Sequence, residues 1–159
     1  MSIAIYPGSF DPITLGHLDI IERAAACFDK VLVCVMVNCD KKQPMFTSEK
    51  RLELIQKSIA HIPNAEAENF SGLLADYARQ KGARILIKGV RNVTDFDMEM
   101  QMARINRGIE PTLETVLLPA SAEFAHFSST MAREMIRYHQ PLEKYVPAVV
   151  AEELMKGRD

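Results

Sequence analysis

Residues 3–17, Ile-Ala-Ile-Tyr-Pro-Gly-Ser-Phe-Asp-Pro-Ile-Thr-Leu-Gly-His, constrain the fold more than any other stretch of the chain. An apolar run without polar alternation stops at Pro7-Gly8, and a helical pattern has taken over by His17. A strand that is apolar on both faces has to be covered on both faces, which is the situation of a central strand in a parallel sheet. The stretch therefore reads as strand, loop, helix. Pro7, Gly8, Pro12 and Gly16 punctuate the loop, and Gly16 permits a close backbone approach just before the helix. The first amides of that helix lack intrahelical partners and lie at the positive end of its dipole, so phosphate is stabilised at residues 14–17. His17 sits beside such an anion as a donor, and the hydroxyls of Ser9 and Thr14 add two more. By itself, the stretch also fits an ordinary strand-to-helix turn with a surface histidine.

The rest of the chain repeats the alternation, which indicates a doubly wound α/β domain with a parallel sheet and right-handed crossovers. Strands are expected at 3–6, 31–37, 65–70, 84–88 and 114–118. Between them the pattern predicts helices at 18–27, at 47–60 with Thr47 or Ser48 as cap, at 73–81 stopped by Gly82, and from Thr94 or Asp95 to Arg107, ending at Gly108. Ser128 caps a helix to about Tyr138, and Pro147 opens a terminal helix over 147–156.

At 159 residues, 48% hydrophobic and 25% charged, the chain has the size and balance of one domain with a sizeable core. No apolar stretch reaches the roughly 20 residues of a spanning helix. The N-terminus lacks a charged flank and cleavage site, so a cytoplasmic location and no membrane partner are expected. A net charge of −2 offers no broad attraction for nucleic acid, and a polyanionic ligand has to meet a local positive cluster instead. Cys27, Cys34 and Cys39 are odd in number and lack CxxC spacing, which argues against disulfides and zinc and for buried small apolar residues. His17, His61, His126 and His139 form no tight ligand pair, so no protein metal site is expected.

In open α/β sheets ligands bind outside the carboxyl ends of the strands, and His17, Lys41, Lys88, Arg91 and the Ser128 region all follow such ends. Lys88 terminates the apolar run Ile85-Leu86-Ile87, so it projects from the sheet rim and forms with Arg91 a compact cationic pair suited to phosphate. Lys41 and Lys42 lie on a polar loop, where a solvated role fits equally well. Ser128-Ser129-Thr130 provides a cap whose first-turn amides and hydroxyls also suit phosphate. Met98, Met100 and Met102, spaced by two, are spread around their helix and point to packing against another subunit. Glu99 among them is either a solvated acid or part of the site.

Tyr6-Pro7-Gly8-Ser9-Phe10-Asp11-Pro12, Thr14-Leu15-Gly16-His17, Lys88-Gly89-Val90-Arg91 and Phe127-Ser128-Ser129-Thr130 together resemble, in order and over nearly the whole chain, bacterial phosphopantetheine adenylyltransferases. These are nucleotidyltransferases with a (T/H)xGH motif. The resemblance implies one Rossmann-like nucleotidyltransferase domain over 1–159, built on a five-stranded parallel sheet. It also implies an enzyme that uses ATP and Mg²⁺ to adenylylate 4′-phosphopantetheine, giving dephospho-coenzyme A and pyrophosphate in the penultimate step of coenzyme A synthesis. A homohexamer, with possible feedback binding of coenzyme A, is implied as well. Carried over by position, Ser9, Lys41, Leu74 and Lys88 line the acceptor site. ATP is contacted by Ser9, Phe10, His17, Gly89, Val90, Arg91 and Glu99, and by Phe124, Ala125, His126, Phe127, Ser128, Ser129 and Thr130. His17 and Lys41 take the catalytic role at the α-phosphate. Ser9 stands where Thr is usual, Lys88 where Arg is usual and Phe127 where Ile is usual; hydroxyl, charge and apolar anchor are all kept. The alternatives are a related nucleotidyltransferase with another phosphorylated acceptor and an oligomer that binds nucleotide without turnover.

Overall fold

The apolar run at the N-terminus forms the middle of the sheet. In the computed structural model, which describes residues 1–37 and 43–157, β1 (Ile3–Gly8) lies between β2 (Lys30–Met36) and β4 (Ile85–Val90). With β3 (Ala65–Phe70) and β5 (Glu114–Pro119) the strand order is β3-β2-β1-β4-β5, and every pairing is parallel. Order reverses between β1 and β4, so the crevice at their carboxyl ends is the topological switch point.

The backbone itself opens that crevice. β1 keeps register with β2 from Ile3↔Lys30 as far as Gly8↔Val35, but with β4 it pairs only at Ala4↔Ile85 and Ile5↔Leu86. Beyond Ile5 the two strands part. Pro7 has no N–H to offer either neighbour, yet β1 runs two residues past the expected end at Tyr6 because β2 continues to hold it.

Alternation along the strands sorts the core into two layers. Ala4, Tyr6, Val31, Val33 and Ile87 face α1 (Leu15–Cys27), α2 (Ser48–Ser58), α5 (Ser129–Arg137) and α6 (Ala148–Lys156) through residues such as Ile20, Ile21, Leu54, Ile55, Ala132 and Val150. Ile5, Leu32, Cys34 and Leu86 face α3 (Leu74–Lys81) through Ala75, Tyr77 and Ala78. Core side chains of this kind each contribute about 1.5–3 kcal/mol on burial. α4 (Val93–Ile109) packs beside β4, β5 and α3, and only Asn106 of it is buried.

Several boundaries depart from expectation for local reasons. α1 starts at Leu15 because Thr14 caps it, so His17 is already in the first turn. α4 runs from Val93, capped by Asn92, through Gly108 to Ile109; that glycine does not stop the helix, whose cap is Glu110. Gly82 does stop α3, in the left-handed conformation at φ 64. α2 ends at Ser58, short of residue 60, and Pro147 is the residue before α6 and not its first. Cys34 is buried as expected, whereas Cys27, the last residue of α1, is exposed beyond the Ile20–Ala24 contact surface. Cys39, Lys41 and Lys42 lie outside the described residues. Among the described residues no helix is long and apolar enough to cross a membrane.

Candidate active site

A cavity of about 390 Å³ occupies the crevice between β1 and β4, walled by the loops after β1, β4 and β5 and by the first turns of α1 and α5. Its centre is His17. Thr14 closes a capping box in which its Oγ1 accepts from the His17 amide at 3.3 Å. In return the Thr14 N–H donates to His17 Nδ1 at 3.0 Å. The usual return partner in such a box is Glu or Gln at this third helical position, so histidine here performs a capping duty that fixes its ring. Because Nδ1 accepts a backbone N–H, the neutral ring carries its proton on Nε2. Burial, reinforced by the Arg91 charge, pushes the His17 pKa down to about 4. His17 is therefore a neutral Nε2–H donor held edge-on against Phe10, with ring centroids 5.0 Å apart.

The loop after β1 is gripped by three side chains from two helices. Arg51 of α2, itself buried, donates from Nη1 to Ser9 O at 2.8 Å; Arg133 of α5 donates to Asp11 O at 2.9 Å; and Ser129 Oγ donates to Pro12 O at 3.0 Å. The buried Asp11 carboxylate accepts from the amides of Met45 and Phe46 at 2.8 and 2.9 Å, tying that segment to the loop. Phe10 adopts φ 46, unusual for a residue with a side chain, and its fully enclosed ring compensates the roughly 1–3 kcal/mol such a backbone costs. Gly16 does allow a close approach, but to protein: a Cβ there would lie 3.3 Å from Phe124 Cβ, so the glycine lets the first turn of α1 abut the 3₁₀ turn Ala122–Phe124.

The cations come from the end of β4. Lys88 Nζ lies 3.4 Å from Glu99 Oε2, whose buried oxygen has no well-aligned hydrogen bond among the described residues. Arg91 is clamped by Asp95: its amide and Nε donate to Oδ2 at 3.1 and 3.0 Å, and Nη2 reaches Oδ1 at 3.4 Å. Burial, the largest influence on the Asp95 carboxyl, acts upward, but the hydrogen bonds from Arg91 together outweigh it and hold the group below its usual value. Arg133 is the second guanidinium at the cavity and, with Lys88 and Arg91, its third cation. On the far wall Ser128 caps α5 by accepting from the Met131 amide at 3.1 Å. The Ser129 and Thr130 amides have no intrahelical acceptor at that end of the helix. Burial, with the Glu99 charge adding to it, pushes the Tyr6 phenol up, so Tyr6 is a neutral part of the floor.

Of the residues picked from the sequence, Ser9, Phe10, His17, Lys88, Gly89 and Arg91 line this cavity. So do Glu99, Phe124, Phe127 and the run Ser128, Ser129, Thr130. Val90, Ala125 and His126 do not line it, His126 being exposed, and Leu74 packs with the α3 layer instead. Lys41 lies outside the described residues. Asp95 and Arg133 were missed, although each carried a signal: both lie a turn beyond a picked residue, Asp95 four after Arg91 and Arg133 four after Ser129.

A parallel sheet with a switch-point crevice, helix N-termini on two walls and a neutral imidazole donor among cations define a site for nucleotide phosphates, the arrangement of a nucleotidyltransferase. The cytidylyltransferase-like family model matches residues 5–135. A solved structure from Vibrio parahaemolyticus, assigned to the nicotinate-nucleotide adenylyltransferases, superposes with a TM-score of 0.72 over 98% of this chain and 93% of that one. At 20% identity it shows the shared fold. Much nearer is the phosphopantetheine adenylyltransferase of Symbiobacterium thermophilum, 48% identical over 95% of this chain and 93% of its own. Those of Synechococcus sp. strain JA-3-3Ab (49%, covering 96% and 95%) and Alkaliphilus metalliredigens (46%, covering 98% and 99%) are comparably similar. The chain belongs to the phosphopantetheine adenylyltransferase family.

Proposed function

We propose that this chain transfers the adenylyl group of ATP to the phosphate of 4′-phosphopantetheine, giving dephospho-coenzyme A and pyrophosphate in the penultimate step of coenzyme A synthesis. An oxygen of the acceptor phosphate attacks the α-phosphorus in line; the bond from that phosphorus to the bridging oxygen of the β-phosphate breaks, and pyrophosphate leaves with the electron pair. A phosphomonoester is already largely dianionic near neutrality, so no protein base has to remove a proton, and the residues need only position and neutralise.

The observation that carries this reading is the capping-box geometry of His17. It supports a donor aimed from Nε2 into the crevice, where charge builds up on the α-phosphate oxygens. Lys88 holds the acceptor phosphate as a point charge. Arg91 and the free amides at Ser129 and Thr130 hold the β- and γ-phosphates. Lys41 acts with His17 at the α-phosphate. Mg²⁺ supplies further charge neutralisation when bound. Among the described residues no three His, Cys, Asp or Glu side chains form a cage. Asp95 is engaged by Arg91, and a bound Mg²⁺ would be held largely by nucleotide phosphates, as Mg²⁺ commonly is.

The protein works as a homohexamer in the cytoplasm. Oligomerisation is supported by Met98, Met102, Ile105 and Ile109, which repeat at i, i+4, i+7 and i+11 along α4 and are 42–61% exposed. This stripe, and not a period of two, is the apolar face that a second copy covers. Pyrophosphate release from ATP with a panel of phosphorylated acceptors tests the assignment. Turnover with 4′-phosphopantetheine at least a hundredfold above the other acceptors is expected, and equal or absent turnover overturns it.

A further inference from the structure

Two helix N-termini wall the cavity, α1 with His17 in its first turn and α5 with the Ser129 and Thr130 amides, and one residue touches the entrance to both. That residue is Tyr145, in the segment between α5, which ends at Arg137, and α6, which begins at Ala148. Its carbonyl oxygen accepts from the amide of Leu15, the first residue of α1, at 2.8 Å. Its ring lies flat on Phe127, with centroids 4.3 Å apart and planes 10° from parallel. Phe127 immediately precedes the Ser128 cap, and an apolar residue packed at that position fixes the angle at which a chain enters its helix.

Tyr145 is itself held firmly. The Tyr145 and Val146 amides both donate to Leu142 O, at 2.8 and 3.1 Å, which closes one turn, and Leu142 and Val146 are buried in the core layer that packs α1 and α5. Phe127 lines the cavity and Tyr145 does not. The Leu15 amide, one of the donors that a helix start leaves open to an anion, is taken up within the chain.

We propose that Tyr145 is a positioning residue: bracketing the starts of α1 and α5, it sets the spacing between the His17 donor and the Ser129 and Thr130 amides. The inference rests on the reading above, in which His17 meets the α-phosphate of a nucleotide and those amides meet its β- and γ-phosphates. The phosphates are bonded to one another, so a shift of one wall against the other carries the donor away from the α-phosphate. A misplacement of about 1 Å costs about a hundredfold in rate. Ground-state binding is shared with Lys88, Arg91 and Arg133, so it suffers less.

The test is steady-state kinetics on the full-length enzyme well below its unfolding temperature, for Tyr145→Phe, Tyr145→Leu, Leu15→Ala and Leu15→Pro, with thermal unfolding in parallel. Tyr145→Phe keeps the ring and is expected to hold kcat within about twofold. Tyr145→Leu keeps apolar bulk without a flat face, and should lower kcat about 5–50-fold with both KM values within about threefold. Proline is accepted at the first position of a helix, so Leu15→Pro spares α1 while placing a methylene where the Tyr145 carbonyl docks. It should lower kcat at least about fivefold relative to Leu15→Ala, which keeps the amide. In the His17→Ala background Tyr145→Leu costs no more than about twofold further, because no donor remains to be aimed. Wild-type kcat in both Tyr145→Leu and Leu15→Pro, even with lowered unfolding temperatures, shows a structural role only and overturns the inference. Full additivity with His17→Ala overturns it too, as do raised KM values with kcat unchanged. All ratios are taken with whichever phosphorylated acceptor the wild type turns over, so failure of the 4′-phosphopantetheine assignment is read from the wild type alone and leaves these outcomes decisive.

Discussion

His17→Ala removes two things at once, and the structure separates them. The first is the Nε2–H donor: losing one preorganised donor to a transition state costs about 10²–10³ in rate. That loss falls on kcat, because the site binds both ground-state substrates through other groups. The second is the acceptor for the Thr14 N–H, which is buried and donates to Nδ1 at 3.0 Å. Stranding a buried donor costs about 1–3 kcal/mol, or about 2–12 °C in unfolding temperature for a chain of this size. His17→Gln distinguishes the two, since glutamine at the third helical position is the ordinary capping-box partner. Its carbonyl oxygen accepts from Thr14 and its amide N–H points into the cavity. Stopped-flow or coupled pyrophosphate assays, with thermal unfolding in parallel, should show Gln restoring most of the stability and at least tenfold of the rate lost by Ala.

The pH dependence sharpens the case. With the folded pKa pushed down to about 4, His17 is neutral throughout the working range. The ratio of wild-type to His17→Gln rate should be flat from about pH 5.5 to 8, while any acid limb common to both reports the acceptor phosphate, whose second pKa is about 6. The same shift makes stability fall as pH drops from the unfolded value near 6.5 toward 4, since the unfolded ring binds a proton that the folded ring refuses; His17→Gln flattens that window. A rate ratio that falls as pH rises through 6.5 would mean that an imidazolium is required, and would refute the neutral-donor assignment.

Lys88→Met keeps the apolar stem without the charge, and should lower kcat/KM for the acceptor about ten- to a hundredfold with ATP binding little changed; Lys88→Arg should retain substantial activity, and titration calorimetry with each ligand checks both. Replacing Ile105 by Asp places a charge in the middle of the α4 stripe and should shift light-scattering mass from an oligomer toward the 17.9 kDa chain; an unshifted oligomer would show that the stripe is not the interface. Arg51→Met removes the grip on Ser9 O, with an expected loss of about 1.5–3 kcal/mol, or about 3–12 °C by calorimetry, and a wild-type unfolding temperature would show the contact to be dispensable.

The sheet and its helices were legible because their signals are local. The unbroken apolar run of β1, Gly82 at the end of α3 and Ser128 before α5 each announce an element within a few residues of themselves. The candidate site was legible where it uses such signals, at His17, Lys88, Arg91 and Ser128. It was not where side chains reach across the fold. Arg51 meets Ser9 over 42 positions and Arg133 meets Asp11 over 122, and no periodicity marks such pairs. The end of α4 was misjudged because packing against β4, β5 and α3 carries the helix through Gly108, whose cost in a helix is only about 1 kcal/mol.

The parting of β1 from β4 after Ile5 and Leu86 has a bearing on how such a chain is re-engineered. A hollow formed by backbone does not depend on which side chains furnish it, so its shape survives exchange of the furniture. The Vibrio structure keeps the fold at 20% identity. Work aimed at a new ligand is then best spent on the rim, at Lys88 and its neighbours on α4, while the loop from Ser9 to Thr14, pinned by Arg51, Ser129 and Arg133, is left untouched.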